Sequence, residues 1–379
     1  MKITLYMSLT VLIPLCLASS GHTAVSLELY GTMHAMGVIV QLDPTDDPNQ
    51  DASATLQYRK TDESFRQGFQ LTRVAGNRFV GSLFRLKPGT TYQVRVSFAD
   101  PSGDPLNGVV LTSSGQTRSE PVIPTPIHSY CVAPGGSGTV CSEAVPCSLN
   151  DGLNQALPGD EVVLRGGTYS LGEITLPHSG TVGAPIMIRS YQGETPVFDG
   201  ADPATFSWTH IGGGVYRTSV VVGDTHLVRA QGDRLYPYQS FSDLQNLVWG
   251  LPGFYADGTT LYVKLAGDAD PNLAEMAISR YNYAFYVDKN FIVFEGLTFR
   301  NFGQGSWAKA IYLRDASDNL IRNCRFVVND VGIGIKLQSD RNVIQNNTFN
   351  DTVFEWPWDA VKSGSELETG GVVFYDPVE

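Results

Sequence analysis

Ile321-Arg322-Asn323-Cys324-Arg325-Phe326 is one of three segments built to one plan. The others are Phe294-Glu295-Gly296-Leu297-Thr298-Phe299 and Ile344-Gln345-Asn346-Asn347-Thr348-Phe349. Each opens on an apolar residue and closes on Phe, and the Phe residues are separated by 27 and 23 positions. A companion strand keeps the beat: Ala310-Ile311-Tyr312-Leu313 recurs as Gly334-Ile335-Lys336-Leu337, 24 residues on. Two short strands per repeat of roughly 20–30 residues, with Asn and Gly between them, predict a solenoid. A coiled coil would repeat in heptads, and a propeller blade needs roughly 40–45 residues. The pattern reads as an all-β chain organised on a right-handed parallel β-helix.

A single coil cannot bury its own apolar side chains, so Phe326 is expected to lie between Phe299 and Phe349. Asn319 and Asn342 hold matching positions before their strands, and Asn323 and Asn346 match within them. Asn tolerates left-handed turns, and its amide can bond to the matching residue one coil away. These asparagines are read as structural.

Outward from this core, the 379 residues suffice for two or three domains. Abundant Gly (39) and Pro (21) with only 17% charged residues suit a turn-rich β protein. A net charge of −12 argues against nucleic acid as a partner. Residues 1–24 read as a secretory signal: Lys2 precedes an apolar run, and Ala18-Ser19-Ser20 offers small residues for cleavage. No other segment is long and apolar enough to insert in a membrane, so a secreted, periplasmic or cell-surface protein, monomeric, is expected. Cys131, Cys141 and Cys147 share a Gly- and Pro-rich loop, where a disulfide between two of them is expected. Cys324 is read as a buried apolar residue on an inward strand position.

Residues 25–118 carry short strand-like runs: Met36–Leu42, Ala54–Arg59 and Arg78–Phe84. Leu86-Lys87-Pro88-Gly89-Thr90-Thr91-Tyr92 then leads into alternating Val94, Val96 and Phe98. This resembles a fibronectin type III domain, a β-sandwich in which Leu, Pro-Gly and Tyr form a corner before a late strand. The usual early-strand Trp is missing, and Tyr58 is placed to fill that volume. Residues 119–129, rich in proline, read as a linker.

A second resemblance begins at Tyr130-Cys131-Val132-Ala133-Pro134-Gly135-Gly136 and continues through Leu157–Tyr169, Ser179–Ile188 and Gly193–Gly200. These stretches are similar to the opening of secreted right-handed β-helix proteins of the pectin-lyase-like superfamily, and the β-helix is assigned to residues 130–379. Ser148 can cap a short helix whose Leu149, Leu153 and Leu157 share a face and cover the open end of the first coil. Residues 201–285 depart from the repeat and read as a side insertion of aromatic hairpins, with core packing favoured over a sugar platform for His210, His226 and the aromatics. The chain stops at Glu379 just after Val372–Tyr375 begins another strand, so further C-terminal coils are expected.

The superfamily resemblance implies an enzyme acting on acidic polysaccharide, chiefly a lyase. Such chemistry needs a cation to neutralise the uronate carboxylate, a base for the adjacent C5 proton and an acid for the leaving oxygen. The resemblance implies Ca²⁺ or Arg for the first job and Lys or Arg for the second. A glycoside hydrolase, which needs a pair of carboxylates, and a non-catalytic adhesion protein are the alternatives. Strand alternation points Lys336 outward beside Tyr312 of the preceding coil. The interrupted stretch after Phe349 carries Glu355, Trp356, Trp358, Asp359 and Lys362, and long loops on rigid scaffolds tend to carry function. Lys336 or Lys362 is the expected base; Tyr312, Trp356 and Trp358 are the expected sugar contacts; Glu355 and Asp359 are expected to hold Ca²⁺.

Overall fold

The structure, a computed structural model, describes residues 25–375 other than 76, 222, 224, 306, 307 and 351–368. Two units make up the chain, residues 1–122 and 123–379.

In the first unit, strands such as Ala35–Gln41 and Thr91–Ala99 alternate strictly, burying Met36, Val38 and Val40 from one and Tyr92, Val94, Val96 and Phe98 from the other. Period-2 burial of that kind makes two sheets face each other across one core, and there are two four-stranded antiparallel sheets here. The expected corner is present: the Lys87 N–H donates to Tyr92 Oη at 2.9 Å. Tyr58 packs against the same core, its ring 6.2 Å from that of Tyr92. The unit is a fibronectin type III-like β-sandwich.

The second unit is a stack of parallel coils with three strands per coil, not two. The first sheet runs from Ser129–Val132 through Glu161–Leu164, Ile186–Ser190, Ile292–Glu295 and Leu320–Arg322 to Val343–Gln345. The second runs from Gly167–Tyr169 through Pro196–Asp199, Thr298–Arg300 and Arg325–Val327 to Thr348–Asn350. The third runs from Ile174–Thr175 through Phe285–Val287, Lys309–Arg314 and Val331–Lys336 to Gly370–Phe374. The repeated segment is therefore a corner joining two strands. Gly296, Asn323 and Asn346 turn it, with φ of 70°, 53° and 55°, in the left-handed region that Gly and Asn adopt most readily. Cys324 lies in that corner rather than on a strand, and is buried beside Leu297 in the same interior.

Aromatic rings fill the interior in register. Phe326 stacks on Phe299 at 5.2 Å and on Phe349 at 4.8 Å. The ladder continues where the sequence did not show it, from Phe299 to Phe198 and from Phe198 to Tyr169, each at 5.3 Å. The matching asparagines bond the coils together. Asn342 Oδ1 accepts from Asn319 N–H at 2.9 Å, and Asn319 Oδ1 accepts from Ile292 N–H at 2.8 Å. Asn347, rather than Asn346, serves the corner: it accepts from Cys324 N–H and donates to Ile321 O, both at 2.8 Å.

A helix, Leu149–Gln155, precedes the second coil, capped by Ser148 Oγ, which accepts from Asp151 N–H at 3.1 Å. Leu149 and Leu153 are buried in the coil core. Leu157 is not part of that face: it lies past the helix and is exposed, because Pro158 disfavours helical backbone at the residue before it.

Cys141 and Cys147 form the disulfide, while Cys131 and Cys324 are buried free thiols. Burial pushes the Cys324 thiol up to about 12 and also raises that of Cys131. Both should therefore resist a thiol-specific reagent at neutral pH until the protein unfolds; rapid labelling of either in the native protein would show the coil interior to be open.

Between Asp199 and Phe285 the chain leaves the coils and forms a five-stranded and a three-stranded sheet with their own apolar cores. Trp208 is buried there and Trp249 stacks on Tyr238 at 4.6 Å, so these aromatics pack the insertion. Polar ties hold it to the coils. Arg234 Nη1 donates to the buried Asp330 at 2.9 Å, and Arg229 Nη1 donates to Asn301 Oδ1 at 2.9 Å.

Candidate functional site

The outer face of the third sheet carries a row of tyrosines and two lysines. Parallel pairing sets Tyr286 beside Tyr312, with ring centroids 5.5 Å apart, and Tyr283 lies 5.7 Å from Tyr286. In the next coil Tyr312 faces Gly334, while Lys336 faces Arg314. The sequence match of Tyr312 with Lys336 is thus off by two residues. Leu337, taken there as the partner of Leu313, has left the strand with a φ of 57°. A slip of two keeps side-chain parity, so Lys336 still points outward as expected.

Gly334 matters because of what crosses it. A Cβ there would sit 2.4 Å from Lys309 Cδ and 3.0 Å from Tyr375 Cε2. Glycine therefore leaves a channel in which the Lys309 stem lies flat on the sheet. Its ammonium ends 4.3 Å from the Tyr312 ring centre and 4.8 Å from that of Tyr375. Ring faces attract a cation, more so when it is desolvated, and Lys309 is only 3% exposed.

Asn282, Tyr283, Lys309, Tyr312, Lys336 and Tyr375 line one groove of ≈ 190 Å³. That is smaller than the roughly 300–1,000 Å³ of pockets that take drug-sized ligands, so it suits one ring of a longer chain. Burial raises the phenol pKa of Tyr312, with Arg314 opposing, and burial also raises that of Tyr283. Both phenols hold their protons at neutral pH and can donate hydrogen bonds. The groove accordingly offers ring faces to stack on, phenols that donate hydrogen bonds and a lysine cation that can meet an anion.

Of the residues expected at the site, the structure brings Tyr312 and Lys336 into this groove. Glu355, Trp356, Trp358, Asp359 and Lys362 lie outside the described residues. None of the described lining residues is Asp or Glu, so this part of the groove offers Ca²⁺ no carboxylate ligand. Lys309, Tyr375, Asn282 and Tyr283 were not foreseen. The available signal was Gly334, a residue without a side chain directly across from Tyr312 in the true register.

Residues 261–376 match the family described as "Right handed beta helix region". A stretch of 76 residues, 19% of this chain, is 38% identical to pectate lyase PEL9 of Emericella nidulans, and makes up 18% of that protein's length. Among solved structures, the chain is similar to XylC, described in complex with xylose, at 17% identity and a TM-score of 0.46, covering 58% of this chain and 54% of that one. Pectate lyase Pel9A is similar at 16% identity and a TM-score of 0.27, covering 58% of this chain and 46% of that one. The human fibronectin type III domain containing protein 3 contributes a domain similar to 27% of this chain at 15% identity and a TM-score of 0.19, with 97% of that domain covered. The three parallel sheets, their aromatic ladder and the matched family together identify the second unit as a right-handed parallel β-helix, preceded by a fibronectin type III-like domain.

Proposed function

We propose that this chain is a secreted carbohydrate-active protein that cleaves a uronate-containing polysaccharide by β-elimination in the groove on the third sheet. The observation that carries the reading is the lining itself: two lysines and three tyrosines gathered in one groove. Sequence identity with a pectate lyase over 76 residues points the same way.

The roles follow from the placement. Lys309, held as a cation between two ring faces, meets the uronate carboxylate and stabilises the charge that develops as C5 loses its proton. Lys336 takes that C5 proton. The C4–O bond then breaks as the C4–C5 double bond forms, and the Tyr312 phenol supplies a proton to the leaving oxygen. A net charge of −12 repels a polyanion at long range, so Lys309, with Arg314 next to Lys336, must supply the local attraction, while Lys336 acts as base in its neutral amine form. Glu355 and Asp359, outside the described residues, would hold Ca²⁺, which would help neutralise the uronate carboxylate. Secretion is supported by the Cys141–Cys147 disulfide, which persists in oxidising compartments.

The test is a screen of the purified chain on pectate, alginate and glycosaminoglycans, with and without chelator. Absorbance from unsaturated uronate ends is the expected product signal, and its loss in chelator would place Ca²⁺ in the reaction. New reducing ends without that absorbance would favour a hydrolase, and binding without cleavage an adhesion protein.

A further inference from the structure

Two loops at one end of the sandwich, residues 42–52 and 100–109, share a sequence habit: Asp47, Asp100 and Asp104 each stand directly before a proline. Proline confines the preceding residue to extended backbone, which fixes where its carboxylate is presented. The structure brings the three together, with one carboxylate oxygen from each within 4.8 Å of the others. Asp47 and Asp100 are buried, at 3% and 5% exposure. Hydrogen bonds account for part of the cluster. Asp100 Oδ1 accepts from Ser102 N–H at 3.0 Å, and the single Ser102 hydroxyl proton is shared between Asp100 Oδ1 at 2.9 Å and Asp51 at 3.1 Å. Asp47 accepts from Arg73 and from the Asp51 N–H. The other oxygens, Oδ2 of Asp100 and Oδ2 of Asp104, are buried and meet no donor.

Buried carboxylate oxygens without a partner are costly, and buried charges are ordinarily paired or bound to a metal. Arg73 offsets one of the three charges and leaves two. We propose that these two loops form a Ca²⁺ site, with Asp47, Asp100 and Asp104 as carboxylate ligands. Hard oxygen donors suit Ca²⁺ at about 2.3–2.6 Å, so two oxygens sharing one ion stand at most about 5 Å apart, and the three here lie within 4.8 Å of one another. Loop carbonyls and water complete six to eight ligands more readily for Ca²⁺ than for Mg²⁺, which demands near-octahedral geometry. The site crosslinks two loops far apart in sequence, and it is independent of the groove on the β-helix.

The experiment uses the full chain, stripped with chelator and titrated with Ca²⁺ alone, then with Mg²⁺ alone. Calorimetry should count one more Ca²⁺ in the native protein than in Asp100→Asn, and Asp104→Asn should weaken that site by about tenfold or more. Hydrogen exchange read by peptide mass should slow in both loops on adding Ca²⁺, and much less on adding Mg²⁺. If Asp100→Asn fails to fold, the half-buried Asp104→Asn and exchange in the unaltered chain decide the question. Unchanged exchange in both loops, or full affinity in Asp104→Asn, would overturn the site and leave Arg73 as the sole counter-charge. Equal protection by Mg²⁺ would overturn the assignment to Ca²⁺.

Discussion

Phe326→Ala is expected to lower the stability of the β-helix unit by about 3–5 kcal/mol, the range for removing a large aromatic from a core that collapses poorly. The site is unable to close up because rings above and below it are locked in register. Phe299 and Phe349 stack on Phe326 at 5.2 Å and 4.8 Å, and parallel strand pairing fixes the spacing of the coils that carry them. Denaturant unfolding followed by tryptophan fluorescence reports this unit selectively, since all five tryptophans fall between residues 208 and 358. A midpoint unchanged from that of the unaltered protein would mean the ladder does not hold the coils together.

Arg234→Ala should be comparably damaging, at about 3–5 kcal/mol, for a different reason. Asp330 is buried, and burial raises its carboxyl pKa while Arg234 and His226 pull it back. Without Arg234 its carboxylate loses a charge partner, and the insertion loses its tie to Asn329 O, which accepts from Arg234 Nη2 at 2.8 Å. The sign of the pH dependence follows from the raised pKa. The folded state holds the Asp330 proton at higher pH than the unfolded chain, so protonation favours folding as pH falls through the folded pKa. The deficit of Arg234→Ala should therefore be greatest near neutral pH and shrink in acid. A deficit that grows in acid would show that Asp330 is not the group left exposed by the substitution.

Much of the fold was legible because its determinants are local. The Phe ladder from 299 to 349 repeats at short range, the Tyr92 corner is a seven-residue pattern, and Ser148 announces the helix it caps. What the sequence hid depends on distance or on backbone shape. Tyr169 and Phe198 belong to the same ladder, but the insertion separates Phe198 from Phe299 by 101 residues and breaks the visible period. The third strand of each coil went unseen because Asn323 and Asn346 turn a corner inside what reads as one continuous segment. The match of Tyr312 to Lys336 failed because Leu313 and Leu337 look equivalent, whereas hydrogen bonding pairs Leu313 with Ile335. Lys309 could not be placed from sequence, since its reach across Gly334 follows from register rather than from either residue alone.

Product absorbance from matched variants decides whether the outward groove of the third sheet performs the elimination. Turnover of the most responsive acidic polysaccharide should be followed at the unsaturated uronate absorbance for the unaltered chain, Lys336→Ala and Lys309→Ala, after equal folding is confirmed by tryptophan fluorescence. Loss of the base in Lys336→Ala should lower kcat by about a hundredfold or more with little change in KM. Lys309→Ala should lower kcat/KM through both binding and the developing charge, and added salt should narrow its difference from the unaltered chain. Full turnover in both variants, with the absorbance signal intact, would contradict the account and move the chemistry to another face of the β-helix.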